Sequence, residues 1–413
     1  MSFTRLIRQL QGVALALIAM PSAAQDSAAA NFEREALQLL EQHALPGFVI
    51  HIKYRGEIVM NRAIGSVNVD TGKAMTKDNI FRIYSMTKPL TAVALLQLVD
   101  RGLVDLHADI RTYLPDFGAF EVNGRKYTLT VHQLLSHTAG FGYGGGLKNW
   151  VDIRYLLANP LSRSNTFDEL INDLSGIDLK FPPGTRFEYS IASDIQGAVI
   201  EAVTGQSLEA YFERYLFQPL GMQDTGFYVP AADQHRLVDM YEYDAGSFER
   251  AREFHKEDIL FVETGADSEF LQKPTLLSGG GGLVSTASDY ANFVDMLLNR
   301  GRFGGRSLLD PALIQTMLSS HTSGQDTHFL PRVYDGAGFG YGLGVEEGDN
   351  GPRSKGSFFW GGMGGTIFWA DPTARLQVVV MFQVEDGWIA MEKWMIPRVY
   401  QLIEALSGER AEA

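Results

Sequence analysis

Cysteine is absent from the 413-residue chain. Disulfides, thiolate nucleophiles, cysteine-ligated zinc and the lipidated cysteine of a lipoprotein anchor are therefore excluded. Long apolar runs are missing too. The best candidate, Gly12 to Met20 (GVALALIAM), is far shorter than the roughly 20 residues a bilayer-spanning helix needs. Positive charge is in deficit: 35 Lys and Arg stand against 49 Asp and Glu, a formal net charge of −14. Such a polyanion is a poor partner for nucleic acid or an anionic membrane surface. No serine sits in G-x-S-x-G, which removes the α/β-hydrolase nucleophile elbow. H-E-x-x-H and G-x-x-x-x-G-K-[ST] are also absent, so zincin and P-loop chemistry have no anchor. No His, Asp or Glu cluster has metal-ligand spacing, and neither metal nor cofactor is expected.

What is present is ordinary globular material, 45% hydrophobic and 20% charged, enough for a sizeable core. Arg5 and Arg8, the short apolar stretch and Ser22-Ala23-Ala24 read as an export signal over residues 1–24, cleaved after Ala24. The mature protein is then expected in the periplasm or outside the cell. Residues 25–413 read as one α+β domain. Strand patterns at Gly47 to Lys53 and Ile58 to Ile64, joined by Arg55-Gly56, return at Gly340 to Glu346, Thr366 to Ala370 and Leu376 to Gln383. Met86 to Arg101 reads as a buried helix, apolar nearly all round, and Trp388 to Leu406 as a closing helix. One antiparallel sheet built from both termini follows, in a lobe of about 31–103 and 274–406. A mainly helical lobe with long loops spans about 104–273.

The sharpest local pattern is Ser85-Met86-Thr87-Lys88. Of the eleven lysines, only Lys88 has a serine three residues before it. Residues three apart share a helix face, so the amine can reach the hydroxyl. Pro89 is tolerable only in a first helical turn, which places Ser85 at the helix start, where the backbone dipole favours developing negative charge. To accept a proton, the lysine must be partly neutral or work with a partner. His137 offers an alternative base, and Asp194 either points toward the site or begins a helix.

Phe81-Arg82-Ile83-Tyr84-Ser85-Met86-Thr87-Lys88 followed by an apolar helix resembles the serine β-lactamase and penicillin-binding-protein superfamily. It is most similar to the class C β-lactamase-like esterases known as family VIII carboxylesterases. Leu129 to Gly140 (LTVHQLLSHTAG), Pro182-Pro183-Gly184 leading to Tyr189-Ser190, Pro219 to Met222 and Gly280 to Thr286 agree with further blocks, in order, over about residues 32–405. The resemblance implies an antiparallel sheet flanked by helices plus a helical lobe. It also implies a Ser85 nucleophile, Lys88, and Tyr189 as an acid/base partner that takes the Ser85 proton and later protonates the leaving group. Tyr290-Ala291-Asn292 fits the class C Y-x-N literally, whereas Tyr189-Ser190-Ile191 keeps only the tyrosine. The usual K-T-G is replaced by Trp360-Gly361-Gly362, which removes the lysine that helps hold a substrate carboxylate. By the family's geometry, the N–H groups of Ser85 and Met363 form an oxyanion hole. Trp360, Gly361, Gly362, Phe141, Tyr143 and Ile191 are expected at the substrate, with Phe141 to Gly146 as a loop over the cleft.

The implied activity is hydrolysis of small, short-chain, uncharged esters through an acyl-enzyme. The same machinery serves β-lactamases, D,D-peptidases, D-amino-acid amidohydrolases and transacylases. A non-catalytic binding protein of the same fold is the alternative of a different class. A small-molecule ester is the one expected partner.

Overall fold

The computed structural model describes residues 23–144, 149–246, 250–322, 337–349 and 351–412. The expected signal peptide, apart from Ala23 and Ala24, lies outside them, as do Gly145 and Gly146. Among the described residues no helix is long and apolar enough to cross a membrane.

Seven strands form the main sheet: β1 Phe48–Tyr54, β2 Glu57–Ile64, β3 Ala337–Phe339, β4 Gly344–Glu346, β5 Phe358–Gly361, β6 Ile367–Asp371 and β7 Leu376–Met381. Their order is β3-β4-β5-β6-β7-β1-β2, antiparallel throughout. Both ends of the chain thus build one sheet, as the strand patterns predict. Arg55 and Gly56 join β1 to β2 with positive φ at both residues (51° and 89°), the geometry of a two-residue hairpin turn. In β7 all six residues are buried, because helices cover both faces of the sheet.

Side-chain alternation along β1 assigns those faces. Lys53 pairs with Asp295 at 2.8 Å, on the helix Ala287–Leu298. Tyr54 bonds Ser407 at 2.8 Å, on the closing helix Trp388–Glu412. The N-terminal helix α1, Ala23–His43, joins that second face, with Phe32 edge-on to Trp394 at 5.9 Å. Helix α2, Thr87–Asp100, runs through the core with Thr87 to Leu98 buried, so apolarity all round the helix becomes burial all round.

The other lobe holds α3 Val131–Leu135, α4 Trp150–Ala158, α5 Phe167–Leu174 and α6 Ala192–Thr204. Capping boxes at Thr130/Gln133 and Thr166/Glu169 fix the starts of α3 and α5. A hairpin of Met240–Tyr243 with Ile259–Glu263 also pairs, in parallel, with Val384–Glu385 just beyond β7. That ladder brings residues 240–246 to the mouth of the site.

His51 lies on the β1 face toward Ala287–Leu298, and burial, then the Lys53 charge, depress its imidazole pKa to about 4. A depressed histidine contributes stability in full above pH 6.5 that is lost as pH falls from 6.5 toward 4, on the order of 3 kcal/mol. His51→Gln should therefore flatten the fall in melting temperature between pH 7 and pH 4.5. Parallel slopes for wild type and variant would contradict the assignment.

Candidate active site

Ser85 sits in a single 3₁₀ turn, Tyr84–Met86, that feeds directly into α2. The turn is reached through a non-glycine residue in the left-handed region, Tyr84 at φ 38°, a conformation that costs about 1–2 kcal/mol. Surrounding contacts hold it there. Arg82, 1% exposed, donates to Val238 O and Ser268 Oγ and pairs with Glu263 at 2.8 Å. The Tyr84 ring meets Phe270 edge-on at 5.8 Å. Ser85 is left facing a cleft of about 1080 Å³ between the lobes.

Lys88 is fully buried. Its Nζ donates to Ser85 Oγ at 3.2 Å and to the carbonyl of Gly280 at 2.6 Å. It also lies 4.6 Å from the centre of the Tyr189 ring and 5.6 Å from that of Tyr143. Carbonyl, hydroxyl and two aromatic faces replace the water the amine has lost. The Gly280 carbonyl belongs to a loop tied to α2 by Thr91 Oγ1 donating to Gly279 O at 2.7 Å. Thr87 Oγ1 accepts from Leu283 N–H.

Tyr189 stands across the cleft, ahead of α6. Its hydroxyl accepts from Trp360 Nε1 at 3.2 Å. His137 lies beneath, stacked on the Tyr189 ring at 5.1 Å between centroids. Ser190 N–H donates to His137 Nδ1 at 3.1 Å, so the neutral ring carries its proton on Nε2, toward Ser193. Burial, then the Lys88 charge, hold His137 well below the usual histidine range. The alternative base is thus a buried, neutral support for the Tyr189 segment, with no contact to Ser85.

Tyr290 is fully buried and its hydroxyl donates to Met86 O at 2.9 Å, on the far side of the nucleophile's turn. The literal Y-x-N match is therefore structural, and Tyr189 is the tyrosine in the cleft.

Trp360, Gly361, Gly362 and Met363 line the cleft opposite Ser85. Gly362 passes so close that an added Cβ would lie 2.3 Å from Ile83 O. Met363 N–H makes no hydrogen bond among the described residues, and Ser85 N–H belongs to the first turn of a helix, where backbone donors lack intrahelical partners. Two backbone donors on facing elements are the components of an oxyanion hole. Tyr143 also lines the cleft.

Two expected substrate contacts are not brought to the cleft. Phe141 is 2% exposed and packs on Phe117 and Phe120. Ile191 is fully buried at the start of α6. Being next to a site residue in sequence does not aim a side chain the same way. Asp194, which the sequence leaves either facing the site or beginning a helix, does both: it stands on the first turn of α6 and reaches the cleft. It is 1% exposed, and its Oδ1 accepts from Ser278 Oγ at 2.5 Å and Gly280 N–H at 3.0 Å. Glu242, Asp244 and Asp386 line the outer end, and no lysine or arginine does so among the described residues.

A buried lysine bonded to a serine at a helix start, with backbone donors facing it across a cleft, defines a serine hydrolase of the S-x-x-K class. Comparison with known proteins gives the family. The Beta-lactamase family model matches residues 29–395, and the chain belongs to that family. It is 31% identical to Esterase EstB of Burkholderia gladioli over 372 residues, 86% of this chain and 90% of that protein. Among solved structures it is similar to EstCE1, a hydrolase with promiscuous acyltransferase activity. The TM-score is 0.78 at 27% identity, covering 92% of this chain and 99% of the other. Simvastatin synthase (LovD) from Aspergillus terreus shares the fold, with a TM-score of 0.70 at 22% identity over 92% and 98% of the two chains. The protein is a class C β-lactamase-like serine hydrolase close to the family VIII esterases.

The close approach at Gly362 gives a stability test. Gly362→Ala should destabilise by about 1–3 kcal/mol in chemical unfolding, because the obstructing atom is backbone. At Gly361 an added Cβ meets nothing nearer than 3.4 Å, so Gly361→Ala should unfold close to wild type. Equal stabilities for the two variants would refute the packing account.

Proposed function

We propose that the protein is a carboxylesterase acting on small, uncharged, short-chain esters through a Ser85 acyl-enzyme. The observation that carries this reading is the contact of the buried Lys88 amine with Ser85 Oγ at 3.2 Å, inside the cleft. Ser85 attacks the ester carbonyl, and its proton passes to the Tyr189 and Lys88 pair. The N–H groups of Ser85 and Met363 hold the oxyanion, each such donor supporting roughly 10²–10³ in rate. Tyr189 returns the proton to the departing alkoxide. Water, activated by the same pair, then releases the acid.

Substrate charge separates this reading from amide-cleaving relatives. A β-lactam or peptidoglycan stem brings a carboxylate. Here Trp360 stands where a K-T-G lysine would serve it, and Glu242, Asp244 and Asp386 face the same cleft. Burial, then the Glu242 charge, raise the Asp386 pKa. Acyl transfer to an alcohol is a second reading, favoured by the likeness to EstCE1. Export belongs to the same proposal and is supported by Arg5, Arg8 and the apolar stretch after them. Cleavage after Ala24 would leave Phe32 and Ala36, both buried, in place on α1.

Purified protein should turn over p-nitrophenyl butyrate at least 10²-fold faster than nitrocefin. Ser85→Ala should abolish both ester turnover and labelling by a fluorophosphonate. Efficient nitrocefin turnover would move the protein to the β-lactamase side, and labelling that survives Ser85→Ala would remove the nucleophile.

The two tyrosines are separable. Tyr189→Phe should lower kcat by about 10²–10⁴-fold, the usual worth of a general acid/base. Tyr290→Phe should keep kcat within a fewfold and lower stability by about 1–3 kcal/mol, through the lost bond to Met86 O. An inactive, stable Tyr290→Phe protein beside an active Tyr189→Phe protein would reverse the assignment.

A further inference from the structure

Asp194 has no part in the proton transfers above, yet it is among the most constrained groups in the molecule. Its carboxylate is buried on the first turn of α6, five residues after Tyr189. Oδ1 takes two hydrogen bonds from the 278–281 loop, from Ser278 Oγ and Gly280 N–H, while Oδ2 has no partner. Ser278 Oγ in turn accepts from Gly281 N–H at 3.0 Å. The carbonyl of that same Gly280 receives Lys88 Nζ. A Cβ on Gly280 would lie 2.4 Å from Asp194 Oδ2, so only glycine allows this approach.

We infer that Asp194 is a positioning residue: it clamps the 278–281 loop so that the Gly280 carbonyl meets Lys88. This rests on the reading of Ser85 and Lys88 as the reacting pair.

Both groups bonded to Oδ1 donate to it. Burial raises the pKa of Asp194, against the Ser278 bond, the Lys88 charge and the Gly280 bond, which pull it down. A carboxylate and a carboxyl protonated on Oδ2 both keep Oδ1 as an acceptor, so the clamp does not depend on the charge.

Asp194→Ala removes the acceptor and Ser278→Ala removes one of its donors. Each should lower kcat for p-nitrophenyl butyrate at least fivefold with KM within about twofold, as expected for a misplaced reacting group. Asp194→Asn keeps an oxygen acceptor at the same place and should recover most of the lost kcat. Wild-type kcat in Ser278→Ala, or an Asp194→Asn protein no more active than Asp194→Ala, would overturn the clamp. Should Asp194→Ala not fold, the Ser278→Ala result decides alone.

Fluorophosphonate labelling of the same preparations keeps the two failures apart. An unlabelled wild-type Ser85 removes the underlying reading of the site. A labelled Ser85 with wild-type kcat in Ser278→Ala removes only the role of Asp194.

Discussion

The site depends on keeping a lysine amine out of water. An unpaired buried ammonium costs several kcal/mol even after relaxation, so its surroundings must return what solvation supplied. Lys88 is fully buried and gets back one carbonyl, one hydroxyl and two aromatic faces. Each comes from a different part of the chain. Gly280 comes from the loop before residues 284–285, Ser85 from the turn directly ahead of α2, Tyr143 from the segment after α3, and Tyr189 from the segment ahead of α6. Those segments must meet within a few ångströms, and meeting there brings the two lobes together. Much of the remaining architecture can be read as the means of holding that meeting point. Arg82 anchors the approach to Ser85, and the bonds of Thr87 and Thr91 tie α2 to the glycine loop.

Close approach explains the glycines better than flexibility does. Gly280 has room only for a hydrogen where Asp194 passes, and Gly362 only for a hydrogen where strand β5 passes the nucleophile's turn. Strain is stored beside them rather than in them. Tyr84 and His137, both non-glycine, sit at positive φ on either side of the cleft, at 38° and 53°. Each is held by its ring contacts, Tyr84 on Phe270 and His137 on Tyr189. Backbone strain at two points flanking a nucleophile is a common property of sites whose surroundings over-determine their geometry.

The parts of this arrangement visible in the sequence were those with short-range causes. Ser85 and Lys88 are three residues apart, so helix geometry alone relates them. Arg55-Gly56 specifies its turn by the conformations those residues adopt, and the apolar run after Lys88 could only be buried. The choice between Tyr189 and Tyr290 needed the family resemblance, because both are tyrosines beside helices and only tertiary packing sends one hydroxyl to Met86 O and the other to Trp360. Phe141 and Ile191 do not follow their neighbours Tyr143 and Tyr189 into the cleft, because their own side chains are buried away from it. Asp194 is hard to place from sequence for the opposite reason. Its partners are 84 and 86 residues away, on a loop whose glycines carry no side-chain signal. The Met240–Tyr243 and Ile259–Glu263 hairpin leaves little trace in the sequence because its strands are short and its alternation is broken by a register shift next to Met240.

A shared scaffold does not fix chemistry, and here the wall of the cleft carries the distinction. On the proposed mechanism, Ser85, Lys88 and the two backbone donors would act on any acyl carbon. Selection has to come from what the rest of the molecule will tolerate beside it. Trp360 contributes an apolar face to the cleft and a hydrogen bond to Tyr189, so on the proposed reading one residue would both bound the substrate and place a reacting group. A lysine at that position would offer a carboxylate a partner but could not brace the phenol in the same way. Beyond it, Glu242 and Glu385 sit opposite each other in register on paired strands, with Asp386 next in the chain, an unfavourable arrangement of like charges. An anionic substrate entering past Asp386 and Glu242 would add to that repulsion, whereas a neutral ester would not. The exchange of lysine for tryptophan and the acidic outer wall act in the same direction, each removing a reason for a carboxylate-bearing substrate to bind.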